Sequence, residues 1–334
     1  MLCYAPRDMP PGTVQTTLPL PPLELRYQIG PLDDADYDNP GGMPILDAFG
    51  VTHDNYRAVF DFGCGCGRQA RQMLQQKVRP RRYLGVDIQR RVIDWCNNNL
   101  AIADPAFEFL HHDVYAPWYA PENSLRLSLP LPAADQSFSL VMATSVFTHL
   151  TRSQVEFYLS EVARILTPDG VAFTTWLFFD RASFAFHPEV YSLYISEADF
   201  AQAVVFDREW FLETVRALGL GVRRTFMPEV AGHQWTVLLV RRTPGMSDAF
   251  PMGAEGADLV AGATVKPIAT TPPGEIAARH HKVLPLRVVQ GPPSPPELFG
   301  ALRELDAMRR THAWRIGRAL TASVRGLRAM MGRQ

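Results

Sequence analysis

The chain has 334 residues, 47% of which are apolar, and a formal net charge of -1. This length predicts one large domain or two smaller ones, and the apolar content is sufficient for a substantial buried core. The near-zero charge gives no electrostatic case for nucleic acid, so no nucleic-acid partner is expected. No apolar run approaches the roughly 18 residues that a membrane span needs.

Cysteine usage and the first residues indicate the compartment. The four cysteines, Cys3, Cys64, Cys66 and Cys96, are too few for a disulfide framework in a chain of this length. The first segment, MLCYAPRDMPPG, lacks the basic and then apolar order of a secretory signal. We therefore expect a protein of the reducing cytoplasm.

Proline divides the chain into four parts. Nine prolines lie in 1–49 and ten lie in 243–300. We interpret 1–49 as a proline-rich strap or cap and 243–293 as a Pro/Gly/Ala-rich linker. The remaining parts are a core domain over 50–242 and a basic amphipathic helix over 294–334.

Within the core domain, short apolar runs alternate with helical patterns, which is typical of a parallel sheet with crossover helices. In chain order the predicted elements are strand AVFDF, helix GRQARQMLQQ, strand RYLGVD, helix RRVIDWCNNNLA, strand FEFLHHD, strand SFSLVMA, helix SQVEFYLSEVARIL, strand VAFTTWLF, helix DREWFLETVRALG, and strands GVRRTFM and QWTVLLVRR. The last two strands are close enough in sequence to pair antiparallel. Asp207 is the expected N-cap of the last helix and Gly219 its stop, and TPDG is expected to be a structural helix stop.

A glycine-rich loop follows the first predicted strand. In VFDFGCGCGRQARQ, Gly63, Gly65 and Gly67 stand at every second position. A metal site would need a second pair of cysteines or histidines at ligand spacing, so Cys64 and Cys66 are half a site at best and no metal is expected. A dinucleotide loop has the spacing G-x-G-x-x-G, which differs from the one here. The remaining interpretation is a cradle for another nucleotide-like ligand.

Three acidic residues end the first three predicted strands. These are Asp61, Asp87 and Asp113. Asp87 follows Gly67 by 20 residues, where a carboxylate can accept both hydroxyls of a ribose. Asp113 is placed to accept an adenine amino group. Because ligands of open α/β sheets bind at the carboxyl edge, the three acids predict a nucleoside site there.

The order of these motifs carries a family resemblance. DFGCGCGR, GVDIQRRVIDWC, HHDV, DQSFSLVMATSVFTHL and YLSEVARILTPDGVAFTTW together resemble a class I S-adenosylmethionine-dependent methyltransferase over about 55–242. This resemblance implies an α/β fold with a Rossmann-like seven-stranded sheet, mostly parallel with the last strand antiparallel, and helices on both faces. More narrowly, PPLELRYQIG and MRRTHAWRIGRAL resemble bacterial methyltransferases associated with surface-polysaccharide biosynthesis.

The resemblance implies S-adenosylmethionine as the cofactor. The start of the first helix, at Gly67 and Arg68, offers amide N–H groups and a positive dipole end to the methionyl carboxylate. Asp61 is expected to reach the ammonium, directly or through water. The implied cofactor-binding residues are Asp61, Gly63, Gly65, Gly67, Arg68 and Asp87, with Ile88 against the adenine, Asp113 and Val114 at the adenine edge, and Thr144 near the methionyl arm.

Catalysis on an oxygen nucleophile also needs a base. His149 in SVFTHL follows the fourth strand and is the first candidate, although it could instead cap the next helix or pack under the loop. His187 lies in an aromatic insert and is a second candidate, as a residue of a substrate lid. Tyr27 and Gln28 are expected either to cover the cofactor or to form an ordinary strap.

A further pair departs from the family pattern. Related sequences often have Gln-Asp where this chain has Gln234 and Trp235, which weakens a transferred substrate role for the segment. His233 precedes this pair. Of the adjacent His111 and His112, strand alternation is expected to turn one inward as a packed residue.

The basic helix predicts contacts beyond catalysis. From residue 307 onward there are seven arginines and no acidic residue, with apolar residues at helical spacing. Residues 307–331 are therefore candidates for self-association, for a partner protein, for docking on their own domain, or for peripheral contact with the inner membrane face.

The sequence leaves three functions open. The first is an O-directed methyltransferase that acts on a sugar, a glycan or another small-molecule hydroxyl. The second is a non-catalytic, methyltransferase-like scaffold in a polysaccharide-assembly complex. The third is an NAD-dependent oxidoreductase, against which the loop spacing and the final strand pair argue.

Overall fold

A computed structural model describes residues 18–27, 29, 31–116, 119–180, 192–194, 203–228 and 234–252 of the chain, with backbone only for 192–194. The predictions for Gln28, His187, His233 and the basic helix lie outside these residues. None of the helices in the described ranges has the length and apolar content that a membrane-spanning segment requires.

The core of the fold is a seven-stranded sheet. Its strands are β1 Ala58–Phe62, β2 Arg82–Asp87, β3 Phe107–His111, β4 Phe138–Ala143, β5 Leu166–Trp176, β9 Leu220–Phe226 and β10 Trp235–Arg241. They follow the order β3-β2-β1-β4-β5-β10-β9. Strand β10 runs antiparallel to both β5 and β9, and the pairs among β1 to β5 are parallel. This confirms the predicted fold class for the sheet.

Helices cover both faces of the sheet. They are α1 Leu23–Arg26, α2 Arg68–Leu74, α3 Arg90–Asn99, α4 Arg152–Ile165 and α5 Arg208–Ala217. Along β1, Phe60 and Phe62 enter one apolar core, together with residues of α4 and α5. Val59 enters the other core, with residues of α2 and α3. Strand residues thus alternate between two cores, and each core requires its own layer of helices.

Local signals account for the ends of the last helix. The Asp207 carboxylate accepts a hydrogen bond from the Trp210 N–H at 2.9 Å, which confirms Asp207 as the N-cap of α5. Gly219 follows the helix with a φ of 70°, and a Cβ at this position would meet no atom within 4 Å. Gly219 therefore ends the helix through its backbone freedom rather than through crowding.

The segment after α4 differs from the prediction. Strand β5 begins at Leu166, directly after the helix, so TPDG lies inside the strand rather than before it. Leu166 pairs with Phe138 and Val171 pairs with Leu140, so 167–170 bulge out of the ladder. Pro168 has no N–H to contribute to a ladder, which favours a bulge at this position.

A second, smaller sheet was not predicted. Its strands are β6 Phe178–Phe179, β7 Ser192–Tyr194 and β8 Val204–Asp207, in the order β6-β8-β7. The predicted strand VAFTTWLF therefore divides at Leu177, whose carbonyl accepts the Phe206 N–H at 2.8 Å. Phe178 and Phe206 are buried against Trp176, so the small sheet extends the aromatic core beyond β5.

Candidate functional site

The glycine loop follows β1 and is crowded on every side. Gly63, Gly65 and Gly67 have φ values of 77°, 55° and 74°, a region that disfavours L side chains. A Cβ at these positions would lie 2.4 Å from Val146 Cγ2, 2.2 Å from Ile29 Cγ2 and 2.5 Å from Leu100 Cδ1, respectively. Each glycine is thus required both by its backbone conformation and by its neighbours.

Asp87 ties this loop to the next strand. Its Oδ2 accepts the Gly65 N–H at 2.9 Å, and its Oδ1 accepts the Gln89 N–H at 2.9 Å. Burial raises the pKa of this carboxyl, and the backbone hydrogen bonds oppose that rise. The loop, the end of β2 and the start of α3 therefore form one connected edge.

Asp61 lies beneath the loop and is fully buried. The Tyr83 hydroxyl donates to its Oδ2 at 2.6 Å, whereas its Oδ1 has no hydrogen-bond partner among the described residues. Burial raises the pKa of Asp61 to about 7, and the bond from Tyr83 and the charge of Arg68 oppose the rise. A buried carboxylate oxygen without a donor is costly, which makes it a candidate to receive a ligand's cation.

The end of β3 is connected to the end of β2 by a side chain that the sequence did not single out. The Asn123 amide donates to the carbonyl oxygens of Ile88 and Val114, at 2.8 Å and 2.9 Å. Next to it, the Ser124 N–H donates to Asp113 Oδ1 at 3.0 Å and lowers the pKa of that carboxyl. Asn123 belongs to a loop without periodic pattern, so only the folded chain reveals this role.

The exit of β4 reaches the same loop. Gln69 on α2 donates from Nε2 to Thr144 Oγ1 at 3.2 Å. Two residues later, Val146 packs beside Gly63, as the short distance at that glycine shows. The structure therefore brings the expected residues Asp61, Asp87, Asp113 and Thr144 to one edge of the sheet. We call Gly63, Gly65, Gly67, Asp61, Asp87 and Asp113 the glycine-loop edge.

His149 lies in a short 3-10 helix between β4 and α4. Its ring nitrogens are 3.4 Å and 3.5 Å from the Tyr119 hydroxyl, and the two rings meet edge to face at 5.2 Å. The cap of α4 is formed instead by Thr151 with Gln154, so the alternative that His149 caps this helix is wrong. His149 is partly exposed.

The two histidines beside Asp113 have structural contacts. His112 is buried, and its Nε2 is 3.0 Å from the Tyr158 hydroxyl. Burial lowers the pKa of His112 to about 4, so this ring is neutral at physiological pH. His111 Nε2 lies 2.9 Å from the Ile88 carbonyl oxygen. The expectation that one of the pair packs inward is confirmed by His112.

The segment before the core packs against the loop and α2. Arg71 donates to the carbonyl oxygens of Leu18, Pro19 and Tyr37 at 2.9, 3.1 and 2.8 Å. Ile29 lies over Gly65, whereas Tyr27 is 41% exposed. The contact over the loop is therefore made by a residue two positions after the tyrosine that the sequence indicated.

The cysteines of the loop are packed thiols. Cys64, Cys66 and Cys96 are free and buried, and burial raises the pKa of each thiol. The Tyr37 hydroxyl lies 3.5 Å from Cys66 Sγ, which joins the preceding segment to the loop. Across the described ranges, no group of three or more His, Cys, Asp or Glu side chains is placed to hold a metal ion.

Residues 59–170 match the family model described as a methyltransferase domain. This range begins in β1 and ends in the bulge of β5, so it contains the glycine loop, Asp87, Asp113 and Thr144. Similarity to a methyltransferase domain is thus found for this part of the chain. The match supports S-adenosylmethionine as the cofactor of the domain.

Solved structures with similar chains include a TehB-like SAM-dependent methyltransferase from Corynebacterium glutamicum, at 19% identity and a TM-score of 0.38, covering 60% of this chain and 88% of that one. A putative S-adenosylmethionine dependent methyltransferase from Listeria monocytogenes has 11% identity and a TM-score of 0.41, and the match covers 63% of this chain and 100% of that one. The [4+2]-cyclase SpnF has 17% identity and a TM-score of 0.36, covering 51% of this chain and only 52% of the cyclase. Identities and TM-scores this low do not assign a function, so a functional assignment depends on the family match and on the geometry of the site.

Proposed function

We propose that this protein is an S-adenosylmethionine-dependent methyltransferase that transfers the methyl group to a hydroxyl oxygen of a sugar, a glycan or another small molecule. The observation that carries the proposal is the double hydrogen bond of Asp87 to the Gly65 and Gln89 N–H groups. It fixes a carboxylate beside the glycine loop, as recognition of a ribose at the carboxyl edge of a sheet requires. The match over 59–170 supports the same class of reaction.

The glycine-loop edge offers this cofactor carboxylate oxygens as hydrogen-bond acceptors. The Oδ1 of Asp61, which is buried beneath the loop and has no donor among the described residues, is our candidate partner for the ligand ammonium. Each oxygen of Asp87 accepts one N–H and keeps a second lone pair for a ribose hydroxyl. Asp113, together with Ile88 and Val114, is our candidate for the adenine. The positive φ values of the three glycines shape the turn that brings the first turn of α2 to this edge.

When bound, S-adenosylmethionine supplies a methyl group on a positively charged sulfur, which makes that carbon electrophilic without further activation. The chain's own residues then orient the acceptor and keep water away. A hydroxyl acceptor also loses a proton, and His149 is our candidate to take it at a ring nitrogen. The edge-to-face contact with Tyr119 holds the His149 ring near the exit of β4. His187 stays a second candidate outside the described residues.

Segments on either side of the core domain indicate the acceptor class and the location. The segments PPLELRYQIG and MRRTHAWRIGRAL resemble methyltransferases of surface-polysaccharide biosynthesis, which favours a sugar hydroxyl as acceptor. We extend the proposal to a cytoplasmic enzyme whose residues 307–331 contact a partner, a second copy or the anionic inner face of a membrane. A non-catalytic scaffold is the main competing function, and an NAD-dependent oxidoreductase is a weaker one.

Calorimetric titration separates these functions at the level of the cofactor. We expect the wild type to bind S-adenosylmethionine and S-adenosylhomocysteine but not NAD. Asp87→Ala removes charge-assisted hydrogen bonds and should weaken binding about 10- to 100-fold. The matched control is Asp169→Ala, because Asp169 is an exposed acid that pairs with Arg57 at the opposite edge of the sheet. Binding of NAD alone would contradict the proposal.

Turnover decides between an enzyme and a scaffold. Methyl-labelled S-adenosylmethionine would be incubated with lipid-linked sugars, nucleotide-sugars and small metabolites fractionated from the host. We expect label in a hydroxyl-bearing fraction with the wild type and with Asp169→Ala, and at most a trace with Asp87→Ala. Cofactor binding without labelled product in any fraction would favour the scaffold.

A further inference from the structure

Three polar residues at or beside the ends of three strands form a closed hydrogen-bond ring at the edge of the sheet. The Ser145 N–H donates to Thr175 Oγ1 at 2.7 Å, and Thr175 Oγ1 donates to Gln234 Oε1 at 2.6 Å. Gln234 Nε2 then donates to Ser145 Oγ at 2.8 Å, which closes the ring. We call Ser145, Thr175 and Gln234 the Ser145 network. It joins the exit of β4, the end of β5 and the start of β10.

The Ser145 network directly borders the glycine-loop edge. On one side of Ser145, Thr144 accepts a hydrogen bond from Gln69 on α2. On the other side, Val146 packs against Gly63. The residues before and after Ser145 therefore contact the proposed cofactor site, while Ser145 itself turns toward β5 and β10. The Ser145 network therefore lies between the proposed cofactor site and strands β5 and β10, for which the sequence predicted no ligand.

The backbone of Ser145 is held in an unfavourable conformation. Its φ is 58°, one of two positive values at non-glycine residues in the described ranges, and the other is in the turn before β4 at Gln136. Such a conformation costs on the order of 1 kcal/mol or more for a serine and persists only where surrounding contacts enforce it. At Ser145 the enforcing contacts are the hydrogen bonds to Thr175 and Gln234.

The ring leaves hydrogen-bond donors at its open side. Ser145 Oγ accepts from Gln234, so its own proton is directed elsewhere, and no acceptor for it is found among the described residues. Gln234 uses one of its two amide protons in the ring, and the other has no acceptor in the same ranges. Ser145 and Gln234 are partly exposed, whereas Thr175 is buried beneath them. The two donors thus belong to residues that are partly exposed.

We propose that the Ser145 network binds an oxygen atom of the methyl acceptor, with the Ser145 hydroxyl and the Gln234 amide as donors. The proposal rests on the proposed function and extends it to the substrate class. Because the three residues carry no charge, the bound group is a hydroxyl or carbonyl oxygen rather than a carboxylate or a phosphate. Thr175 is a positioning residue, since it holds both donors without reaching the ligand.

Ligand-observed saturation-transfer NMR tests this proposal without knowledge of the natural acceptor. The probes are methyl α-glucopyranoside, methyl α-mannopyranoside, methyl α-galactopyranoside and, as a charged comparison, glucuronate, each added to protein loaded with S-adenosylhomocysteine. We expect at least one neutral glycoside to bind the wild type more tightly than glucuronate. Removal of a neutral hydrogen bond in Ser145→Ala should weaken that binding roughly three- to tenfold.

Three further variants separate recognition from folding. In Gln234→Glu the Ser145 proton would turn inward to the carboxylate, so binding of the glycoside should fall by a similar factor. Ser145→Gly removes the hydroxyl but relieves the positive φ, so it should weaken glycoside binding as Ser145→Ala does while it lowers the melting temperature less. Ser160→Ala is the matched control, because the Ser160 hydroxyl bonds only within α4, to the Phe157 carbonyl.

Calorimetry with S-adenosylhomocysteine keeps this proposal distinct from the proposed function. We expect cofactor-product affinity to stay within about twofold in all four variants, because the lost hydrogen bonds lie outside the glycine-loop edge. Failure of the wild type to bind that compound would contradict the proposed function, and the same glycosides would then be titrated into the ligand-free protein. The network proposal is overturned if no neutral glycoside binds the wild type, or if Ser145→Ala and Gln234→Glu bind it unchanged.

Discussion

The glycine-loop edge and the Ser145 network lie side by side but are built differently. In the first, carboxylates such as Asp87 and Asp113 accept hydrogen bonds from backbone N–H groups. In the second, two of the three hydrogen bonds join side chains, and the residues come from three distant positions. The first arrangement depends on glycines and acids at a fixed spacing in the sequence. The second depends on strands that become neighbours only in the folded sheet.

The largest expected effect separates catalysis from cofactor binding. His149→Asn removes the proposed base, so turnover in the labelled-methyl assay should fall about 100- to 10,000-fold. Calorimetric affinity for S-adenosylmethionine should stay unchanged, because His149 lies outside the glycine-loop edge. The matched control is His53→Asn, an exposed residue of a 3-10 helix before β1. Turnover within tenfold of the wild type would remove His149 from the mechanism.

The next effect tests how tightly the glycine loop is packed. Gly65→Ala and Gly219→Ala introduce the same methyl group at φ values of 55° and 70°, but only the first meets a neighbour, Ile29 at 2.2 Å. We expect Gly219→Ala to lower the free energy of unfolding by about 1 kcal/mol and Gly65→Ala by about 3 kcal/mol. Urea unfolding measures both.

A second substitution isolates the cause of that difference. In an Ile29→Ala background, which has its own packing loss, the addition of Gly65→Ala should cost only the backbone term of about 1 kcal/mol. If Gly65→Ala and Gly219→Ala lower the free energy of unfolding equally, Ile29 moves aside at no measurable cost. The close packing inferred at this edge would then be wrong.

The buried carboxyl of Asp61 predicts a pH dependence of stability. Its pKa is raised to about 7 in the folded chain, whereas the unfolded value is near 4. Between these values the folded chain holds a proton that the unfolded chain has lost, so the free energy of unfolding falls as the pH rises. The stabilisation is complete below about pH 4 and lost above about pH 7, with a total on the order of a few kcal/mol.

Urea unfolding at several pH values measures this dependence. Asp61→Asn cannot titrate, so its stability should fall less steeply between pH 5 and pH 7 than that of the wild type. Asp47→Asn is the control, because Asp47 is an exposed acid in a 3-10 helix. Parallel curves for wild type and Asp61→Asn would show that Asp61 already ionises at low pH in the folded chain.

The smallest expected effect concerns α5, which belongs neither to the glycine-loop edge nor to the Ser145 network. Asp207→Ala removes the N-cap bond to Trp210 and should lower the free energy of unfolding by about 1 kcal/mol. Cofactor affinity and glycoside binding should both be retained, since neither the glycine-loop edge nor the Ser145 network includes a residue of α5. A loss of either would indicate that α5 is coupled to the site.

Much of the glycine-loop edge could be predicted because its determinants are local. The positive φ values of Gly63, Gly65 and Gly67 follow from a tight turn after a strand, and Asp87 and Asp113 follow from the ends of predicted strands. The Asp207 cap and the Gly219 stop are equally local. In contrast, Asn123 and Ser124 stand in a loop with no periodic pattern, and nothing in their spacing indicates the carbonyls and carboxylate that they contact.

By itself, the sequence determined the alternation of strands and helices and the spacing of glycines and acids, because hydrophobic period and backbone freedom act over a few residues. The seven-stranded sheet was an implication of the family resemblance. Only the tertiary structure decided that Ile29 covers Gly65, that 167–170 form a bulge, and that Ser145, Thr175 and Gln234 close a ring. These features depend on which strands become neighbours and in which register. A contact between side chains from distant strands exists only after the backbone hydrogen bonds have fixed that register.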